Sequence, residues 1–244
     1  HHAANSRRLL LRVFGFRLRW VSRLMIKPTS PALTGLRRNL LHEIDTSPNY
    51  YVEIGANDGV AQTNTLALET FFGWRGLLIE PINSVYEKLA KNRSRRRNTL
   101  LRAACVSSRF PDATVELVYS NLMSVAIGLD SDVSDPFAHA DSGRYQLRAE
   151  DPVRVESAPA MTMTRALELA GAPDRIGLLS LDVEGAELEV LKGIDFDKYR
   201  FDWMLIECRD LGRLETFLRN HGYVLQKDLS THDDPYGDYL FARQ

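Results

Sequence analysis

Cysteine is nearly missing from this chain: Cys105 and Cys208 are the only two in 244 residues. Both sit in apolar, strand-like runs without metal or redox spacing. That excludes a disulfide framework and a cysteine-based metal knuckle, and reads as two buried free thiols in a reducing compartment. Long hydrophobic runs are missing too. No stretch reaches the ~18 apolar residues of a membrane-spanning helix. Net charge is small, −1 from 31 basic and 32 acidic residues, so no global field draws the chain to nucleic acid. A hydrophobic fraction of 44% suits a globular protein. Its length suits one domain, or one domain with a small appendage, burying roughly 70–75% of its unfolded surface without staples.

The near-neutral charge conceals an asymmetry. Residues 1–42 hold nine Arg or Lys and no acid. Within them, 6–26 reads as a basic amphipathic helix. At about 100° per residue, Arg8, Arg12, Arg19 and Arg23 share one arc, opposite Leu10, Leu11, Phe14, Leu18, Val21, Leu24 and Met25. Pro28 and Pro31 stop it. Such a helix lies on a membrane surface, binds a partner or a second subunit, or packs on its own domain; the pattern leaves these open. His1-His2 reads as a tag remnant.

From residue 36 onward helix and strand signals alternate. Helices are expected at 36–45, 61–72 and 84–93, and strands at 50–54, 76–80 and 98–106. This βαβαβ rhythm predicts a mostly parallel α/β sheet with helices on both faces. A further strand is expected at 114–119. Regularity returns with helices at 162–170, 186–192 and 211–220 and strands at 176–182 and 202–208. Strands at 223–227 and 238–243 flank Asp233-Asp234-Pro235-Tyr236-Gly237, a turn that predicts an antiparallel C-terminal hairpin. Between the strand at 114–119 and the helix at 162–170, residues 120–158 are rich in Ser, Asp, Ala and Pro with weak periodicity. That segment reads as a substrate-covering insertion. The organisation expected is an extension over 1–35 and a domain over 36–244.

Chemistry concentrates at three strand ends. After the first strand comes Glu53-Ile-Gly-Ala-Asn-Asp-Gly59. A dinucleotide fingerprint would need glycine at 57, where this chain has Asn57. The loop instead resembles acid-x-Gly-x-x-x-Gly, the first motif of S-adenosylmethionine-dependent methyltransferases. Glu53 at the strand tip would suit an ammonium group. Glu80, 21 residues beyond Gly59 and beside Pro81, stands where a carboxylate accepts both hydroxyls of a ribose.

The third end is Asp182-Val-Glu-Gly-Ala-Glu187. Asp182 falls near the switch point where open α/β sheets bind ligands. Clustered carboxylates raise one another's pKa, so Asp182 or Glu184 could act as general base; alternatively, Asp182 and Glu207 could hold a divalent ion. Glu187 reads as a helix-capping acid. Among the histidines, His139 alone has a plausible catalytic place, in the insertion, set against a solvated loop histidine. Arg93-Ser-Arg-Arg-Arg97 reads as a solvated helix end, without the aromatics of a nucleic-acid site.

Together Glu53–Gly59, Gln62-Thr-Asn-Thr65, Gly73-Trp-Arg-Gly-Leu-Leu-Ile-Glu-Pro81 and Leu181-Asp-Val-Glu-Gly-Ala-Glu-Leu-Glu-Val-Leu-Lys-Gly193 closely resemble the FkbM family of methyltransferases. The similarity spans about residues 36–243. It implies a seven-stranded Rossmann-like methyltransferase sheet, S-adenosylmethionine as donor, and O-methylation of a hydroxyl, often on a sugar or polyketide. By that resemblance Glu53, Gly55, Ala56, Asn57 and Gly59 would line the methionine end. Asn64 and Thr65 would add polar contacts, Glu80 with Pro81 would hold the ribose, and Ala104 would lie by the adenine. Asp182 and Glu184 would face the methyl group and acceptor. Ser180 departs mildly from the apolar residue more usual there. The substrate expected is a small molecule or glycan, with no nucleic acid, in the cytoplasm or at a membrane periphery. Two rivals are an NAD-linked oxidoreductase and a catalytically silent methyltransferase-like module tethered by the basic helix.

Overall fold

Five consecutive residues, Tyr50–Ile54, form the strand around which the rest of the chain is arranged. The computed structural model describes residues 39–47, 49–120, 124–142, 154–230 and 236–244; the basic helix expected at 6–26 lies outside them. Eleven strands appear among these residues. They are β1 (Tyr50–Ile54), β2 (Arg75–Ile79), β3 (Asn98–Leu101), β4 (Ala104–Val106), β5 (Thr114–Tyr119) and β6 (Val125–Ala126). β7 (Arg154–Thr162), β8 (Arg175–Leu181), β9 (Arg200–Cys208), β10 (Tyr223–Asp228) and β11 (Gly237–Arg243) follow. Beside a short helical piece at 39–43, the helices are α1 (Leu66–Phe72), α2 (Asn83–Asn92), α3 (Pro136–Ser142), α4 (Met163–Ala170), α5 (Glu187–Leu191) and α6 (Leu211–Arg219).

The main sheet has seven strands in the order β10-β11-β9-β8-β1-β2-β3. β3, β2, β1, β8 and β9 are parallel, whereas β11 runs antiparallel to both β9 and β10. This is the Rossmann-like methyltransferase arrangement with its antiparallel hairpin. The central strands are buried on both faces, which is why they read as continuous apolar runs. Val52, Ile54, Leu77 and Ile79 enter one core layer with Met163, Leu167 and Leu191. Tyr51 and Leu78 face the other, with Leu40, Leu68, Trp74 and Leu89. Because the chain turns back after β3 to resume at β8 beside β1, the switch point lies between the ends of β1 and β8.

Three expected elements come out differently. The strand at 98–106 is broken at Arg102-Ala103 into β3 and β4, and β4 leaves the main sheet to pair with β7. The helix at 61–72 begins only at Leu66, because Gln62 stands at φ 55° and Thr63 and Thr65 turn their hydroxyls onto Glu53. The segment 120–158 holds regular structure: β6, α3 and the first half of β7. β7 is nine residues long and pairs antiparallel with β5 and parallel with β4 in a second, four-stranded sheet. Its small core of Val115, Leu117, Ala126 and Ala158 closes on Ile82 and Val85 at the start of α2.

Candidate methyl-donor site

The loop after β1 is shaped by close approach. Ile54 carbonyl accepts from Asp182 N at 3.2 Å, and Ile79 carbonyl accepts from Gly55 N and Ala56 N at 3.2 and 3.1 Å. A Cβ on Gly55 would stand 1.8 Å from the Asp182 carbonyl oxygen, and the residue has φ 76°. Only glycine fits there. Asn57 is also left-handed at φ 49°, a conformation that asparagine tolerates, and its Oδ1 accepts from Asp58 N at 2.8 Å. Gly59 serves a different contact. A Cβ on it would meet Leu89 and Arg93 at 2.6 Å, so it lets the loop pack on α2.

Glu53 corrects an expectation. Its carboxylate turns away from the cavity and is buried, accepting from Thr63 Oγ1 at 2.8 Å, Asn64 N at 2.7 Å and Thr65 Oγ1 at 2.5 Å. Arg93, expected in a solvated run, is buried beside it. Its guanidinium lies 3.5 Å from Glu53 and donates to Glu69 at 2.7 Å and to Tyr51 Oη at 2.7 Å. An acid at a strand tip and an arginine at a helix end thus form one internal network that fixes the loop, while Arg95, Arg96 and Arg97 stay exposed. Asn64 donates to Ser180 Oγ at 3.1 Å. Ala56 is core. Glu53, Ala56, Gly59, Asn64 and Thr65 therefore shape the loop from behind.

The cavity in front of the loop is lined by Gly55, Asn57, Glu80, Pro81, Ala104, Asp182 and Glu184 among the residues singled out by sequence. Gln62 and a wall from the second sheet and its surroundings, Leu117, Ser124, Ala126 and Leu129, also line it. Glu80 is buried at the mouth of β2. One of its oxygens accepts from Asn57 N at 3.0 Å and the other from Ile82 N at 2.9 Å. Burial pushes its carboxyl up to about 7, against the pull of those two N–H groups.

At the far end Asp182, Glu184 and Glu207 bring carboxylate oxygens within 4.8 Å of one another. Burial first, then the neighbouring Glu184 and Glu187, holds Asp182 well above the usual carboxylate range. Glu207 is driven up in the same way, by burial and by Asp182. Such a group shares a proton or takes a hard divalent cation, Asp182 and Glu207 being the pair expected for the latter. Glu184 is held apart by partners. At φ 55° its Oε2 lies 2.9 Å from His139 Nε2 and accepts from Arg209 at 3.2 Å. Glu187 accepts from Val183 N and Gly185 N, both ahead of the first helical residue, so it ties down the loop before α5 instead of capping a helical N–H.

Residues 53–225 match the family model of the methyltransferase FkbM domain. The chain belongs to the FkbM methyltransferase family. It is therefore a methyltransferase whose cofactor is S-adenosylmethionine, and the NAD-linked alternative is set aside. Among solved structures it is similar to a methyltransferase FkbM from Methylobacillus flagellatus KT, at 15% identity over 87% of this chain and 48% of that one, with a TM-score of 0.48. It is also similar to precorrin-6y C5,15-methyltransferase from Geobacter metallireducens GS-15, at 13% identity over 89% and 93%, TM-score 0.45. A third is the N-terminal domain of human METTL16 in complex with SAH, at 15% identity over 89% and 72%, TM-score 0.44. No curated protein sequence matches significantly.

The cavity suits such a cofactor on its own chemistry. Gly55 leaves backbone exposed beside the switch point, Glu80 presents a fixed carboxylate to a diol, and Ala103 and Ala104 offer a flat apolar wall. Sequence reasoning missed Arg93, Arg209 and the second-sheet wall. The buried contacts of both arginines are long-range in sequence, so no local pattern carries them.

Proposed function

We propose that this FkbM-family protein methylates a hydroxyl group of a saccharide or glycoconjugate, with Asp182 as general base. One observation carries the reading: Asp182 closes β8 at the switch point, against Gly55 and in the cavity wall, beside Glu184 and Glu207. S-adenosylmethionine, when bound, supplies a methyl group already activated on a sulfonium. The chain's own work is then to align the acceptor and remove its proton. Glu80 would hold the ribose. Gly55 and Asn57 would lie along the methionine portion and Ala104 along the adenine. Asp182, whose proton affinity is raised by burial and by the neighbouring Glu184, would take up the hydroxyl proton, with Glu207 sharing it.

Glu184 serves less well as base, because His139 and Arg209 already engage it. Among the described residues, Asp132, Asp182, Glu184, Glu207 and Asp238 gather at this end around Arg209. That balance repels a phosphate backbone and favours a neutral acceptor. The insertion would cover the acceptor, and the basic N-terminal segment would serve as a membrane or subunit contact.

Label transfer from methyl-labelled S-adenosylmethionine onto methyl glycosides, with RNA as the competing acceptor, tests this. The expected outcome is label on a glycoside hydroxyl, reduced at least about 100-fold in D182N while donor binding persists, the scale of a lost general base. Label on RNA, or a D182N protein that transfers normally, contradicts it.

A further inference from the structure

Directly after β9, Arg209 joins three stretches of chain that are far apart in sequence. Its backbone N donates to Asp132 Oδ2 at 3.1 Å. Its guanidinium donates to Glu184 at 3.2 Å, lies 3.6 Å from Asp132 Oδ1, and stands over the Tyr236 ring with 5.4 Å to the centroid. Asp132 belongs to the insertion, Glu184 to the loop that follows β8, and Tyr236 to the turn before β11.

The insertion is pressed tightly onto that loop at the same place. Asp132 N donates to Gly185 carbonyl at 2.9 Å. A Cβ on Gly185 would meet Asp132 Oδ1 at 2.6 Å, Val133 Cγ2 at 2.7 Å and Ser131 Oγ at 2.8 Å. Glu184 meanwhile holds a left-handed backbone, φ 55°, which a non-glycine residue keeps only when its surroundings fix it. Its side chain is gripped from two sides, by His139 of α3 and by Arg209. Asp182 and Val183, which line the cavity, lie just before it.

We propose that Arg209 is a positioning residue: its guanidinium fork locks the insertion, through Asp132, to the Glu184 loop, and so sets the acceptor side of the site. A guanidinium suits this task, because its planar fork reaches two carboxylates at once and an ammonium does not. The proposal rests on the methyltransferase reading and adds to it a residue that touches neither donor nor acceptor. The donor side, built on Gly55 and Glu80, shares none of these contacts.

The test uses the full chain, S-adenosylhomocysteine as donor-site probe and methyl glycosides as acceptor probes. In R209Q, acceptor kcat/KM is expected to fall about 30-fold, mostly through KM, with S-adenosylhomocysteine affinity within about twofold of wild type. R209K is expected to recover part of the loss, and D132N combined with R209Q to add little to either alone. Amide hydrogen exchange at residues 131–133 is expected to quicken about tenfold in R209Q with β8 and β9 unchanged, and this decides the matter even if no glycoside is turned over. Equal losses on donor and acceptor sides, exchange that quickens throughout the sheet, or unchanged exchange at 131–133 would overturn it, leaving Arg209 a general stabiliser of the fold. Wild-type protein that binds no S-adenosylhomocysteine would sink the donor-site reading instead, with the exchange result still bearing on Arg209.

Discussion

Gly55 and Glu80 show how much of the cavity hangs on single atoms. At Gly55 a methyl group would overlap the Asp182 carbonyl oxygen, so the glycine is a condition for β1 and β8 to end side by side. Glu80 combines two demands: its oxygens anchor the loop backbone through Asn57 N and Ile82 N, and burial raises its carboxyl to about 7. The sign of the pH effect follows. A carboxyl at about 7 in the fold and about 4.5 in the unfolded chain favours its neutral form on folding. Its stabilisation is complete below about pH 4.5 and lost as pH rises through about 7, and Glu187, also at about 7, behaves alike. In the proposed role of Glu80 the ribose hydroxyls need the ionised form, so donor affinity would run the other way. S-adenosylhomocysteine binding to wild type is expected to weaken as pH falls below about 7. In E80Q it should be about tenfold weaker at pH 8 and flat with pH, by calorimetric titration. Glu80 was legible from sequence as a strand-end acid at the right spacing. Glu53 looked equally suited, but which way an acid turns depends on what lies behind it. Thr63, Thr65 and Arg93 drew it inward.

At the scale of elements, the parallel core was legible because each central strand is buried on both faces and bounded by turn residues. β7 was not, since it begins in a polar stretch and one of its faces meets solvent, giving Arg154-Val-Glu-Ser no strong period. α1 was read a turn too long, because the Glu53 network holds 62–65 out of the helix although their composition permits it. Arg93 ties α2 to β1 and α1 through Glu53, Glu69 and Tyr51. Removing it leaves two buried carboxylates without their cation, a loss of about 3–5 kcal/mol. R93M is accordingly expected to lower Tm by on the order of 10 °C. A thermal melt within about 2 °C of wild type would show that the network contributes little to stability.

Across the whole molecule, the seven-stranded order places the glycine loop, Glu80 and Asp182 along the carboxyl ends of adjacent parallel strands, and the second sheet supplies the wall facing them. Among the described residues no helix is long and apolar enough to cross a membrane. The fold thus brings the ends of three motifs spread over 135 residues of sequence, Glu53 to Glu187, around one cavity whose far end is acidic. If this cavity is the methyl-donor site, calorimetric titration of the wild-type chain shows one S-adenosylhomocysteine bound per chain and no heat from NAD. Binding of NAD with none of S-adenosylhomocysteine would overturn that assignment.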